Sequence, residues 1–174
     1  FLHNPAMNNE QFQRALHIGA ALVDDCFAEG CNIISIGEMG IANTSPSSIW
    51  MSIFENLPLN ECIGAGAGLN HTEIQHKLAV LQTAIDRFFA QGYQPIDAIP
   101  YFGGFEMVGA IGAMLRAAER HMVILVDGFI MTACMLAASQ MHPEVLVYAI
   151  YGHCSDEGGH RKMLKLMNAK PLLS

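Results

Sequence analysis

Apolar positions along the chain recur at two spacings, and the switches between them mark out the elements. Over residues 9–29, Phe12, Leu16, Ala20 and Val23 fall on one helical face, with Asn9 as a candidate cap and Gly30 as a stop. Asn32 to Ile36 is an apolar run of strand length that reads as a short buried strand, ending in the turn Gly37-Glu38-Met39-Gly40. Ser45 followed by Pro46 opens a helix to about Asn56, because serine can cap and proline suits a first turn. From Thr72 to about Ala90, Ile74, Leu78, Leu81, Ile85 and Phe88 keep helical spacing. Ile96 to Phe102 reads as a weak strand broken by Pro100, and Gly103-Gly104 leads into a helix from Phe105 to Arg120.

That last helix carries Gly109, Ala110, Gly112 and Ala113, small residues that permit close approach of a sheet or another helix. Met122 to Val126 is the clearest strand, and Asp127-Gly128 turns it into a helix at Ile130–Met141. Val145 to Ile150 reads as the last strand, followed by the polar, glycine-bearing stretch 152–159 and a helix to about Asn168. Short apolar strands alternating with helices predict an α/β fold: a parallel sheet with helices on both faces, in one Rossmann-like three-layer domain over 1–174. The start at Phe1 and the apolar end Pro171-Leu172-Leu173-Ser174 suggest a domain that lacks N- and C-terminal pieces of a longer protein.

Composition narrows the function. Of 174 residues 52% are hydrophobic and 14% charged, so the chain can bury a sizeable single core. The net charge is −7 and no run of Lys or Arg occurs, which argues against nucleic acid and acidic membranes as partners. No apolar run reaches the roughly 18–20 residues that span a bilayer. Five cysteines without a CxxC pair fit reduced thiols in the cytoplasm.

In open parallel sheets ligands bind beyond the carboxyl ends of the strands. The unusual turns of this chain, at 37–44, 64–68, 103–106, 127–128 and 152–159, all fall at such ends. Glycines at 37 and 40 let backbone N–H groups approach an anion, the following helix adds its N-terminal partial charge, and Glu38 places a carboxylate beside them. An ordinary strand-to-helix turn would carry the same glycines. Gly64-Ala65-Gly66-Ala67-Gly68 can clamp a ligand or simply pack tightly, and Lys77 on the next helix can reach in or stay solvated. Asp127 can be a site carboxylate or a helix cap. Ser155 and His153 can contact phosphate. His153, Cys154 and His160 are poorly spaced for zinc, and no GxSxG elbow or dinucleotide-binding GxGxxG turn occurs.

Glu38-Met39-Gly40-Ile41-Ala42-Asn43-Thr44 resembles the E-M-G-I-G-N-T signature of the nicotinate-nucleotide–dimethylbenzimidazole phosphoribosyltransferases. The companions resemble that family in order: Gly64 to Leu69 with Lys77 downstream, Gly103-Gly104-Phe105-Glu106, Val126-Asp127-Gly128-Phe129, and His153 to His160. The resemblance implies transfer of 5-phosphoribose from nicotinate mononucleotide to dimethylbenzimidazole, giving α-ribazole 5′-phosphate and nicotinate, by a homodimer without metal or organic cofactor. It implies that Glu38 is an active-site carboxylate, and that Met39, Gly40, Asn43 and Thr44 lie at the nucleotide. Gly66, Gly68, Lys77, Asp127, Gly128 and Ser155 would line or adjoin the phosphoribosyl pocket. The family's general base is a glutamate in a glycine-rich segment expected C-terminal to Ser174, so this chain alone is expected to bind nucleotide weakly and not to turn over. Ala42 stands at a usual glycine, and Ala65 and Ala67 stand where relatives often carry Arg or Thr. The competing reading is a non-catalytic nucleotide- or phosphate-binding module, or one half of a heteromeric transferase.

Overall fold

The computed structural model describes residues 1–64, 66 and 68–173, so the readings placed on Ala65, Ala67 and Ser174 lie outside the described residues. Its helices are α1 (Asn9–Ala28), α2 (Thr44–Phe54), α3 (His71–Ala90), α4 (Ala98–Phe102), α5 (Phe105–Glu119), α6 (Phe129–Met141) and α7 (His160–Leu166). The strands β1 (Ile33–Ile36), β2 (Val123–Val126) and β3 (Ala149–Tyr151) form one parallel sheet in the order β1-β2-β3. The parallel α/β class holds. Among the described residues no helix is long and apolar enough to cross a membrane.

Local chemistry explains the starts of α1 and α3 and the end of α1. The α1 cap is Asn8 rather than Asn9: its side chain accepts from the Gln11 N–H, and the Gln11 side chain accepts from the Asn8 N–H. Asn70 and Glu73 form the same reciprocal pair at the start of α3. Gly30, with φ 91°, closes α1 as glycine commonly does.

The structure corrects three readings. Residues 96–102 are helical, a single 3₁₀ turn at Pro95–Asp97 running into α4. Pro95 starts the turn and Asp97 accepts from the Gln94 N–H, while Pro100 sits in the first turn of α4, where a missing N–H costs nothing. Most of the expected strand 145–150 is likewise a 3₁₀ segment, Pro143–Tyr148, and only Ala149–Tyr151 pairs with β2. Finally, β1 is not fully buried: as a sheet edge it leaves Ile33 and Ser35 exposed while Ile34 and Ile36 are half-covered.

The core lies around α5 and α6. Ile111, Met114, Met135 and Ile124 are fully enclosed, beside an aromatic cluster of Phe88, Tyr101 and Phe102. The indole N–H of Trp50 donates to the Ala98 carbonyl at 2.9 Å, which satisfies its one polar atom inside the core. The small face of α5 packs against α1, a helix, so closely that a Cβ on Gly112 would overlap the Leu16 backbone.

Candidate active site

The parallel register fixes where the corners meet. Ile36 pairs with Val126, and Val126 pairs with Tyr151, so the three strands end level with one another. The chain therefore leaves the sheet at 37, 127 and 152 along one rim. A pocket of about 300 Å³ opens there, lined by Glu38, Thr44, Gly66, Asp127, Gly128 and Ser155, together with Glu157. It thus draws on the corners at 37–44, 64–68, 127–128 and 152–159.

The corner at 103–106 joins through Asn43. Its side-chain amide donates to Glu38 Oε1 at 2.9 Å and to Glu106 Oε1 at 2.7 Å. Asn43 is also the N-cap residue of α2, yet its side chain makes no capping bond. The amide is turned away from the helix to bridge two carboxylates. This explains why Ser45 does not cap: the helix already begins at Thr44, and Ser47 Oγ donates to the Asn43 carbonyl. Glu38 Oε1 also accepts from the Gly40 N–H, while Oε2 is buried with no hydrogen-bond partner among the described residues. A buried carboxylate oxygen in that state is a strong acceptor or cation-stabilising group.

Lys77 leaves the solvated alternative behind. Its Nζ donates to Thr44 Oγ1 at 2.9 Å, and burial lowers its pKa while Glu157 opposes that effect. Gly66, at φ 55°, lies against both groups, and a Cβ there would stand 3.0 Å from Thr44 Oγ1 and 3.8 Å from Lys77 Nζ. The Gly66 N–H donates to Glu157 Oε2 at 3.1 Å. Lys77 itself does not line the pocket: its ammonium stands behind the lining Thr44 hydroxyl, and this hydroxyl–ammonium pair is suited to a phosphate, while the Gly66 N–H is taken up by Glu157.

At the other wall, Asp127 is exposed and its carboxylate lies 3.7 Å from His153 Nδ1. Gly128, not Asp127, is the N-cap residue of α6, so the helix-cap reading of Asp127 fails. Ser155 Oγ is 2.8 Å from His160 Nδ1. Met39, 96% exposed, and the exposed Gly40 and Gly68 do not line the pocket. No group of His, Cys, Asp and Glu among the described residues is arranged to hold a metal ion.

A larger, mostly apolar hollow of about 800 Å³ lies between α1, β1 and α5, with Arg14 and Glu106 as its charged lining. It shares only Glu106 with the acidic cluster, and the convergent polar groups are in the smaller pocket.

Sequence reasoning gave no role to Glu106 or Glu157. Glu157 follows Asp156, and nothing in the sequence chooses between two adjacent acids; the fold turns Glu157 inward and leaves Asp156 exposed. Glu106 sits 63 residues from Asn43, and only the fold reveals that contact.

A family model described as phosphoribosyltransferase matches residues 1–174. The chain belongs to this phosphoribosyltransferase family. A nicotinate-nucleotide–dimethylbenzimidazole phosphoribosyltransferase of Bacteroides fragilis is 56% identical over 174 residues, all of this chain and 50% of that protein. One of Photobacterium profundum is 42% identical over the whole chain and 51% of its own length. The crystal structure of CobT from Thermus thermophilus superposes with a TM-score of 0.91 at 31% identity, covering 99% of this chain and 51% of that one. This phosphoribosyltransferase chain therefore spans about half the length of the relatives it matches.

Proposed function

We propose that the chain carries the phosphoribosyl-binding part of an enzyme that moves 5-phosphoribose from nicotinate mononucleotide to 5,6-dimethylbenzimidazole. The carrying observation is the pocket at the level ends of the parallel strands, where carboxylates and phosphate-type donors face one another. Relatives named for this reaction, at up to 56% identity, support the reading.

In this reading the phosphate lies by Lys77, Thr44 and Gly66, and the ribose lies toward Glu38, Asp127, Gly128 and Ser155. One benzimidazole nitrogen attacks the anomeric carbon as the bond to nicotinate breaks. The departing pyridine nitrogen keeps the bonding pair, so its cationic ring leaves as a neutral one and needs no acid. Positive charge gathers on the ribose as the bond lengthens, and the carboxylate of Glu38, oriented by Asn43, favours it. The proton on the acceptor's other nitrogen goes to a general base. Small-molecule substrates, a homodimer and a cytoplasmic setting belong to the same reading.

The test uses the gene product that carries this chain, mixed with nicotinate mononucleotide and a panel of benzimidazoles and phenols. Release of nicotinate that depends on the acceptor, and that falls at least about tenfold in Glu38→Gln, supports the assignment. No release with any acceptor refutes it.

A further inference from the structure

We infer that His160 is a positioning residue: it ties the Gly128 corner to the Ser155 corner and so sets how tightly the pocket holds the donor's ribose phosphate. The identity of that ligand rests on the functional reading above. His160, the first residue of α7, is fully buried and does not itself line the pocket. Both of its ring nitrogens are engaged, and by groups from elsewhere in the fold. Nδ1 accepts the Ser155 N–H at 2.9 Å and lies 2.8 Å from Ser155 Oγ. Because Nδ1 accepts, Nε2 carries the proton and donates to Thr132 Oγ1 at 2.9 Å. The Thr132 hydroxyl then donates its own proton to the Gly128 carbonyl, also at 2.9 Å.

The result is a directed chain from Ser155 through His160 and Thr132 to Gly128. Its two ends are pocket-lining residues from the corners that follow β3 and β2. A side chain that only filled space could be replaced by an apolar one of similar volume. Here such a replacement would leave the Ser155 N–H without its acceptor and deprive the Thr132 hydroxyl of the proton it accepts, and each corner would lose its fix on the other. Burial, followed by the neighbouring His153, pushes the His160 pKa down to about 4, with Asp127 opposing, so the ring stays neutral and keeps this donor–acceptor order at neutral pH. Phe129 and His153 rings stand edge-on to the imidazole and limit its rotation.

The experiment compares wild-type gene product with His160→Leu, His160→Gln and Thr132→Val by steady-state nicotinate release, with circular dichroism to check folding. Glutamine offers one acceptor and one donor, as the neutral imidazole does. His160→Leu is expected to raise KM for nicotinate mononucleotide at least about fivefold with kcat changed less than about twofold, and His160→Gln to return KM to within about twofold of wild type. Thr132→Val shifts KM in the same direction. Lower kcat at unchanged KM would mean fewer folded molecules rather than a looser pocket, and would overturn the proposal. If His160→Leu does not fold, Thr132→Val decides: a raised KM supports the tie and an unchanged KM overturns it. If wild type releases no nicotinate, the functional reading fails separately. The tie is then read from inorganic-phosphate binding to the folded proteins, where weaker binding by Thr132→Val supports it and equal binding overturns it.

Discussion

Asn43→Asp puts the acidic cluster to a quantitative test. The Asn43 amide nitrogen stands 2.9 Å from Glu38 Oε1 and 2.7 Å from Glu106 Oε1. Aspartate has the same shape, so both donated hydrogen bonds become contacts between negative oxygens. At about 3 Å and an effective dielectric near 20, one such contact costs about 5 kcal/mol. Taking up a proton is cheaper: for a carboxyl group with an ordinary pKa near 4, it costs about 4 kcal/mol at pH 7 and about 1.4 kcal/mol at pH 5. The variant should therefore bind a proton on folding, and because its carboxyl then has one donor where the amide gave two, its loss of stability should not exceed about 5 kcal/mol at pH 7, about 4 for the proton and about 1 for the hydrogen bond. Glu106 is exposed and can swing into water, but the half-buried Glu38 keeps the repulsion in place. Between about pH 4 and the raised value, the folded variant holds a proton that the unfolded chain has released. Its stability relative to wild type should thus fall by about 1.4 kcal/mol for each pH unit gained. Asn43→Ala loses only the hydrogen bonds, about 1–2 kcal/mol, with little slope. Urea unfolding of the three proteins at pH 5, 6 and 7 measures this directly. A gap between the Asp variant and wild type that stays constant across that range would refute the shared-proton picture.

Other consequences are as concrete. Ala42 holds φ 75°, a left-handed backbone that disfavours any side chain, so Ala42→Gly should stabilise the fold by about 0.5–1 kcal/mol, read as a higher denaturant midpoint; no gain would show that the turn is unstrained. Lys77→Met keeps the length of the side chain and removes its charge, and should raise KM for nicotinate mononucleotide about tenfold with a smaller change in kcat; an unchanged KM would make Lys77 a bystander. His160 must be neutral in the fold, and its pKa there is lowered to about 4. The unfolded chain thus binds more protons between about pH 6.5 and 4, and stability should fall by up to about 3 kcal/mol as pH drops through that window. His160→Gln should flatten that part of the stability curve, and an unaltered slope would assign it to another group.

The parallel α/β layout was legible because its signals are local. The stripes at Ile74 to Phe88 and the run Val123–Val126 announce their elements whatever surrounds them. Pro100 misled, since a proline that breaks a strand is equally at home in a first helical turn, and nothing local separates the two. The run 145–150 misled for a related reason: a short apolar run carries no period, and Pro143 favours the 3₁₀ turn that displaced most of the strand. At the site, glycine corners and strand ends pointed to the rim where Glu38, Thr44, Gly66, Asp127, Gly128 and Ser155 lie together. Contacts that depend on distant partners were invisible. The Asn43–Glu106 bridge spans 63 residues and the Thr132–His160 bond spans 28, so no spacing rule reaches them. Asn43 also looked like a turn residue, and only the fold shows its amide diverted from capping to the two acids.

If the rim grips a ribose phosphate, a bound nucleotide must lie along it. The decisive measurement is a crystal structure of the native gene product with nicotinate mononucleotide bound. Phosphate oxygens are expected within hydrogen-bond distance of Lys77 Nζ and Thr44 Oγ1, with the ribose between Glu38 and Ser155. A nucleotide seated instead in the apolar hollow between α1 and α5, or bound away from the strand ends, would contradict this placement.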